Sequence, residues 1–361
     1  MKLSGNAVRT AKIVGLVLLA AGGLGSRLIA PADPLAWNPR AAAAYLDSRT
    51  LAWTHGGAMD HGTFCISCHT GLPYAVARPA MRSAVGESSV SPVEQQLLTS
   101  VTERVKVWSE VQPYLGDKGG GPGTESVLNA LILVERDARV GHLTPLTRDA
   151  LKIMWSMQSA AGSWPWINAG NEPWEAGDSV YWGVTLAVVA TAEAPDGYRY
   201  EPSIQDGLKR LEAYLQSNLA SQSMFNRLEF LLADAALPGL ATAATKSQIL
   251  ADLARMQAPD GGWNTAELIP SDWKRHDGNP IVTSSDGFAT GLAAVVLEKM
   301  GNRGLELTRA LAWLAKNQDK ASGAWLTLSP NSRKDFASDS GKFMTDAGTA
   351  YASLALADAR P

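Results

Sequence analysis

Three segments of this chain resemble one another: QSAAGSW at 158–164, QAPDGGW at 257–263 and QDKASGAW at 318–325. Each follows a run with the apolar period of an amphipathic helix and precedes a turn-rich loop, which leads into a second, more apolar run. Weaker copies of this two-run unit bring the number of units to six, with second runs that start at 70, 125, 178, 229, 286 and 346.

Six units spaced 51 to 60 residues apart predict an all-α fold, an α6/α6 toroid of six helical hairpins. In such a ring the inner helices are apolar on most faces, because they pack against both neighbours and against outer helices. Hydrophobic residues make up 46% of the 361 residues and charged residues 19%, which supports a large buried core. We therefore expect one toroid domain over residues 33–361.

The repeated segments resemble the QW motifs of squalene-hopene and oxidosqualene cyclases, over roughly residues 90–360. The resemblance implies the toroid, and it implies that a Gln and a Trp tie the end of each outer helix to the loop entering the next inner helix. The residues concerned are Gln158, Trp164, Gln257, Trp263, Gln318 and Trp325. These six are expected to be structural rather than catalytic.

The chemistry of the cyclases is not implied, because their acidic D-x-D-D motif does not occur in this sequence. Those enzymes also have two helical barrels, whereas this chain has residues for one. Protein prenyltransferases share the toroid and bind zinc through separated Asp, Cys and His ligands, but here both cysteines lie in one short segment. Terpene cyclisation is therefore not expected.

An acid opens each of the three clearest inner runs: Asp178, Asp286 and Asp346. An acid in the first turn of a helix caps backbone N–H groups and interacts favourably with the helix dipole, so a structural role is the simplest expectation. The same three acids are the candidates to line a cavity inside the toroid, and the sequence identifies no other catalytic group.

The only two cysteines, Cys65 and Cys68, lie in the segment DHGTFCISCHTG at 60–71 and are followed by His69. C-x-x-C-H is the attachment sequence of c-type haem. Cysteines three apart on one helical turn reach the two vinyl groups on one edge of the porphyrin, and the histidine becomes the proximal iron ligand. The segment therefore predicts one covalent haem c, at the mouth of the toroid, because it occupies the position of the loop that enters an inner helix.

Other interpretations of the two cysteines stay open. A disulfide or redox pair leaves His69 without a role. A zinc site formed by Cys65, Cys68 and His69 needs a further ligand from elsewhere in the chain. A chance match is the third interpretation, since the motif fixes only three positions.

The sequence suggests several ligands for the other side of the iron. His61 lies just upstream of the motif, and Met344 lies in the loop of the sixth unit, which adjoins the first unit if the ring closes. These two are the leading candidates, ahead of Met59, His55 and His276. The loops expected nearest the iron are 164–174 and 271–279.

The N-terminus has the pattern of an export signal. Lys and Arg residues precede an apolar stretch at 13–25, and the small residues that signal peptidase prefers follow at 30–32. The segment 13–30 is also 18 residues long, so it can stay uncleaved as an anchor in the inner membrane. Residues 1–32 are thus expected to be a signal peptide or anchor, with the rest periplasmic. Haem is attached to C-x-x-C-H on that side of the membrane, so the two patterns agree.

Together these features predict an exported monohaem c-type cytochrome that transfers electrons to a partner protein. The alternative is a haem oxidoreductase or binding protein that acts on an apolar, terpenoid-like molecule in the toroid cavity. A scaffold with an ancillary haem is a third hypothesis. Nucleic acid is not an expected partner, because the net charge is -3 and no run of Lys and Arg occurs.

Overall fold

The computed structural model describes residues 35–56, 59–113, 116 and 119–359. These residues form fourteen α-helices and one antiparallel pair of two-residue strands, which confirms the all-α class. None of the helices in the described ranges is long and apolar enough to span a bilayer. The predicted signal peptide or anchor at 1–32 lies outside the described residues.

Six helices are buried on most of their surface, and we call them the buried helices. They are α2 (Gly71–Ala80), α5 (Gly121–Val140), α7 (Ser179–Ala192), α9 (Met224–Ala236), α12 (Gly287–Lys299) and α14 (Asp339–Asp358). Helices α7 and α12 have apolar or small residues all around, as a helix enclosed on every side requires.

Six further helices bury one face only, and we call them the covering helices. They are α1 (Pro39–Gly56), α4 (Pro92–Lys106), α6 (Pro145–Ser156), α8 (Gln205–Asn218), α10 (Ala243–Met256) and α13 (Leu305–Asn317). The remaining helices and strands are short: α3 (Arg82–Val85), α11 (Thr265–Leu268), β1 (Met59–Asp60) and β2 (Thr63–Phe64). Three 3-10 turns lie at Tyr198–Tyr200, Pro202–Ile204 and Leu219–Ser221.

The buried helices contact one another in chain order, from α2 through α5, α7, α9 and α12 to α14, and α14 contacts α2. Five covering helices pack on the buried helix that precedes them: α4 on α2, α6 on α5, α8 on α7, α10 on α9 and α13 on α12. Helix α1 packs on α14 in the same way, although α14 is the last helix of the chain. The first covering helix thus lies beside the last buried one.

The tryptophans of the three repeated segments make equivalent hydrogen bonds. Each indole N–H donates to a carbonyl in the last turn of the preceding covering helix. The pairs are Trp164 with Met154 at 2.6 Å, Trp263 with Leu253 at 2.8 Å and Trp325 with Leu314 at 2.7 Å. All three indoles are buried, so each bond satisfies a carbonyl that water cannot reach.

The glutamines of the same segments also make equivalent bonds. Each side-chain amide donates to a glycine carbonyl in its own loop and to a carbonyl at the start of the next covering helix. These are the carbonyls of Gly162 and Gly207 for Gln158, Gly261 and Glu306 for Gln257, and Gly323 and Asn38 for Gln318. For Gln318 the next covering helix is α1, and the carbonyl is that of Asn38, which lies 280 residues earlier in the chain and directly before α1.

Three buried helices begin before the acids at which the sequence predicts their starts, Glu125, Glu229 and Asp346. Helices α5, α9 and α14 start four to seven residues earlier, so these acids lie inside the helices. Serines cap two of them: the hydroxyls of Ser223 and Ser338 each accept a backbone N–H three residues ahead. The predicted starts at these acids are therefore wrong.

A cavity lined by residues of α2, α5, α7 and α14, among them Leu131 and Tyr351, measures about 40 Å³. The Tyr351 hydroxyl donates to Glu229 at 3.4 Å, and burial raises the pKa of Glu229 to about 8. Glu229 therefore holds a proton inside the protein at neutral pH.

Replacing Trp263 with Phe is expected to lower the free energy of unfolding by about 1–3 kcal/mol, because the buried Leu253 carbonyl loses its donor. Trp313→Phe is the matched control, since the half-buried Trp313 indole donates to the side chain of Asp260 near the surface. Its effect is expected within about 0.5 kcal/mol. Urea denaturation followed by circular dichroism measures both, and equal losses would contradict the structural role of Trp263.

Replacing Glu229 with Gln is expected to change how stability depends on pH. The folded-state pKa of Glu229 is raised to about 8, so the unfolded chain releases this proton first and stability falls as pH rises towards 8. The Gln variant loses this dependence and gains stability over the wild type by up to about 1.4 kcal/mol per pH unit. Denaturation between about pH 5 and about pH 8 measures it, with the exposed Glu267→Gln as the charge control. A constant difference across that range contradicts the expectation.

Candidate cofactor site at Cys65, Cys68 and His69

The C-x-x-C-H segment lies between β2 and α2, where it forms one wall of a cavity of about 460 Å³. This volume falls in the range of roughly 300–1,000 Å³ that is typical of small-molecule sites. The opposite walls come from the loop 167–175, the segment 329–334 and the start of α14. Residues that line the cavity besides the motif include Trp53, Ile167, Glu172, Trp174, Glu175, Asn331, Phe343 and Met344.

The backbone of the motif is a turn rather than a helix, because residues 65–67 have no regular structure and α2 begins only at Gly71. The expectation that both cysteines lie on one helical turn is therefore wrong. The Ser67 hydroxyl accepts the N–H groups of Thr70 and Gly71 at 3.1 and 2.8 Å, and the Trp53 indole donates to the Cys65 carbonyl at 2.8 Å. These bonds hold the loop in place.

Both cysteines are buried and free, without a disulfide between them. Burial raises the pKa of both thiols, and the nearby carboxylates of Glu125 and Glu175 raise the pKa of Cys65 and Cys68 further. Both are therefore protonated thiols in the absence of a bound group. In the part of the chain that the structure describes, no group of three or more His, Cys, Asp or Glu could hold a metal ion.

A buried ion pair lies beneath the motif. Arg104 donates to Glu125 at 2.5 Å and to the Thr63 hydroxyl at 2.9 Å, and all three residues are buried. The pair joins α4, α5 and β2 directly behind Cys65. Removal of either partner would leave an uncompensated buried charge, so the pair is expected to be important for stability. Through its bond to Thr63, Arg104 also holds β2, the strand that precedes the motif.

The imidazole of His69 is enclosed by aromatic rings. Phe343 stacks on its face with ring centroids 3.6 Å apart, and the Trp53 ring meets it edge-on at 5.2 Å. Burial lowers the pKa of His69 to about 3, and the Arg49 guanidinium adds to this effect. His69 is therefore neutral at any physiological pH.

The hydrogen bonds of His69 lead to the last helix. Its Nδ1 lies 2.9 Å from the Thr70 hydroxyl oxygen, and that hydroxyl donates to Asp346 at 2.7 Å. The other oxygen of Asp346 accepts from Arg49 at 2.9 Å and from Tyr45 at 2.8 Å. The motif is thus linked both to α14 and to α1.

Met344 is the one leading candidate for a second iron ligand that lines the same cavity as His69, although it lies in α14 and not in a loop. His61 lies outside the cavity lining. Its side chain is 42% exposed and its Nδ1 contacts Asp60 at 2.8 Å. Met59, His55 and His276 do not line this cavity either.

The three acids that the sequence proposes for a cavity do not line this one. Asp286 caps α12 by accepting the N–H of Ala289 at 2.9 Å, and it borders a separate cavity of about 240 Å³. Asp178 accepts from the Asn226 side chain at 3.3 Å, just before α7. Asp346 lies behind His69, as described above.

Of the two loops expected near the iron, 164–174 contributes directly to the cavity wall. The loop 271–279 contributes indirectly, because Arg275 donates to the Ser329 carbonyl at 3.0 Å and the His276 N–H donates to the Asn331 carbonyl at 2.7 Å. It therefore supports the segment 329–331 that borders the cavity.

Sequence reasoning missed Glu172, which is buried in the cavity wall. The Asn331 side chain holds its backbone through two hydrogen bonds, at 2.9 and 2.8 Å. Burial raises the pKa of the Glu172 carboxyl, and the nearby Asp178 raises it further. The only signal in the sequence is an acid between two tryptophans in the segment 164–174.

No family model matches the chain, and a comparison with curated proteins finds no similar sequence. The functional assignment therefore depends on the geometry of the site itself.

Proposed function

We propose that this chain is an exported monohaem c-type cytochrome, in which Cys65, Cys68 and His69 hold one covalent haem c and the protein passes electrons to a partner protein. The observation that carries the proposal is that the only two cysteines and the adjacent histidine line one cavity of about 460 Å³. The cavity has the volume of a small-molecule site, and most of its lining surface is apolar.

The protonation states of the motif fit this role. Each thiol would supply the hydrogen that addition of S–H across a vinyl C=C of haem requires, so the two thioethers would form without an oxidant. His69 is neutral, so one ring nitrogen has a lone pair for iron. When bound, the haem supplies a one-electron iron couple.

Met344 is the favoured second ligand. It is buried, it lines the cavity together with His69, and its neighbour Phe343 stacks on the His69 ring. A thioether ligand raises the reduction potential relative to a second histidine. His61 has less support, because its exposed imidazole contacts Asp60 outside the cavity lining.

The α6/α6 toroid is the architecture that the contacts favour. Its support is the succession of buried helices that returns from α14 to α2, together with the three equivalent sets of Gln and Trp hydrogen bonds. Periplasmic location rests on the sequence pattern at 1–32, as a cleaved signal or as an inner-membrane anchor.

A haem oxidoreductase or binding protein for an apolar molecule is the second candidate. One observation favours it: Glu172 lies in the cavity wall with a raised pKa, so it can act as a proton donor there. One cavity between buried helices, lined by α2, α5, α7 and α14, measures about 40 Å³ and is far too small for a terpenoid. A terpenoid that bound in the larger cavity would share it with the haem, so electron transfer is the better supported function.

The attachment is tested by expressing the chain in a host that matures c-type cytochromes in its periplasm. The protein is expected to carry one haem that stays bound after denaturation in detergent, shown by in-gel haem staining and a pyridine haemochrome spectrum. Replacing Cys65 and Cys68 with Ser removes the covalent haem, because no thiol is left to form a thioether. Ser217→Ala, on the exposed side of α8, is the control and keeps it. Haem that survives denaturation in the double variant refutes the proposal.

The second ligand is tested by adding carbon monoxide to the reduced protein. The absorption spectrum is expected to stay unchanged, because Met344 fills the sixth position. Met344→Ala opens that position, so carbon monoxide shifts the Soret band, whereas His61→Ala leaves the spectrum as in the wild type. A shift in the wild-type protein supports the oxidoreductase instead, and a shift only in His61→Ala makes His61 the ligand.

A further inference from the structure

A continuous chain of hydrogen bonds joins His69 to a buried carboxylate of the last helix. His69 Nδ1 lies 2.9 Å from the Thr70 oxygen, and the Thr70 hydroxyl lies 2.7 Å from Asp346 Oδ2. Asp346 is 1% exposed, it does not line the cavity at Cys65, Cys68 and His69, and the attachment motif does not include it. It lies inside α14, so it does not serve as a helix cap.

Asp346 accepts three hydrogen bonds and is paired with a buried arginine. Its Oδ1 accepts from Arg49 Nε at 2.9 Å and from the Tyr45 hydroxyl at 2.8 Å, while Oδ2 accepts from Thr70. Burial raises the pKa of Asp346, and its hydrogen bonds from Arg49, Thr70 and Tyr45 act in the opposite direction. The Arg49 guanidinium also compensates the charge within the buried site.

The carboxylate fixes the direction of the next bond. A threonine hydroxyl has one hydrogen, and here it points to Asp346. The Thr70 oxygen can therefore only accept from His69, so the proton of the neutral imidazole lies on Nδ1. The lone pair is then left on Nε2, the nitrogen that is free to bind a metal.

We infer that Asp346 is a positioning residue for His69, acting through Thr70 to hold the imidazole in the tautomer and orientation that present Nε2 to the haem iron. The inference rests on the proposed haem attachment and assigns residues that the attachment motif does not contain. A ligand histidine that donates its other N–H to a hydrogen-bonded acceptor is more basic and better oriented. A more basic histidine ligand favours oxidised iron. We therefore expect the hydrogen bonds from His69 through Thr70 to Asp346, which we call the relay, to lower the reduction potential.

The placement of these residues makes the relay depend on three helices. His69 and Thr70 precede α2, Asp346 belongs to α14, and Arg49 and Tyr45 belong to α1. The alternative is that Asp346 only joins α14 to α1, through Arg49 and Tyr45. Thr70 separates the two interpretations, because its replacement breaks the link to His69 and leaves both bonds to α1 in place.

The test compares Thr70→Val with Thr70→Ser in the haem-loaded protein. Val keeps the shape of the side chain and removes the hydroxyl, whereas Ser keeps the hydroxyl. We expect both variants to carry covalent haem. The reduction potential is expected to be higher than that of the wild type in Thr70→Val and equal to it in Thr70→Ser. In the background of Met344→Ala, which leaves the reduced iron five-coordinate, the iron–histidine stretching band in resonance Raman spectra is expected at lower frequency in Val only.

A Val variant that keeps covalent haem with the wild-type potential and the wild-type Raman band overturns the inference. If the Val variant does not fold, Thr70→Ala replaces it, with the same two measurements and the same expected shifts. A wild-type chain without covalent haem overturns the haem proposal itself, and staining of the wild type detects this before any variant is made. Equal shifts in Val and Ser also count against the relay, because they show that the hydroxyl is not the group that matters.

Discussion

The contact between the last buried helix and the first part of the chain is the interaction on which the rest of the structure depends. Helix α14 packs against α2 and α1, and Gln318 bonds to Asn38 just ahead of α1. The same region holds the network of Arg49 and Asp346, which reaches His69 through Thr70. Closure of the helix succession and support of the candidate ligand are therefore one set of contacts.

The loop with Cys65, Cys68 and His69 lies beside two buried ion pairs that belong to different helices. Arg104 and Glu125 lie behind Cys65, and Arg49 and Asp346 lie behind His69. Each arginine has its carboxylate at hydrogen-bond distance, as buried charges require. The backbone N–H and C=O groups of an irregular loop do not pair with one another as those of a helix do. The two ion pairs, on the side of the loop away from the cavity, therefore help to hold it in one conformation.

The sequence was sufficient where a local rule decides the structure. The repeated Gln and Trp residues can be recognised in the sequence because each set makes the same hydrogen bonds to the backbone. The C-x-x-C-H spacing can be recognised because it involves neighbouring residues only. The sequence was insufficient where distant contacts decide. An acid was expected to open the last helix, but Ser338 caps it, and Asp346 instead meets Thr70, which is 276 residues away in the chain. Glu172 reaches the cavity wall only through its contacts with Asn331.

The position of α14 has a consequence for how the protein is made. A chain grows from its N-terminus, so the loop with Cys65 exists long before Phe343, Met344 and Asp346 have been added. The wall opposite the motif and the support of His69 are complete only when the final helix has packed beside α1 and α2. A chain cut short before Asp339 keeps Cys65, Cys68 and His69 but lacks Phe343 and Met344 in the cavity wall and the contact of Thr70 with Asp346. Packing of α14 is thus the step that completes the cavity.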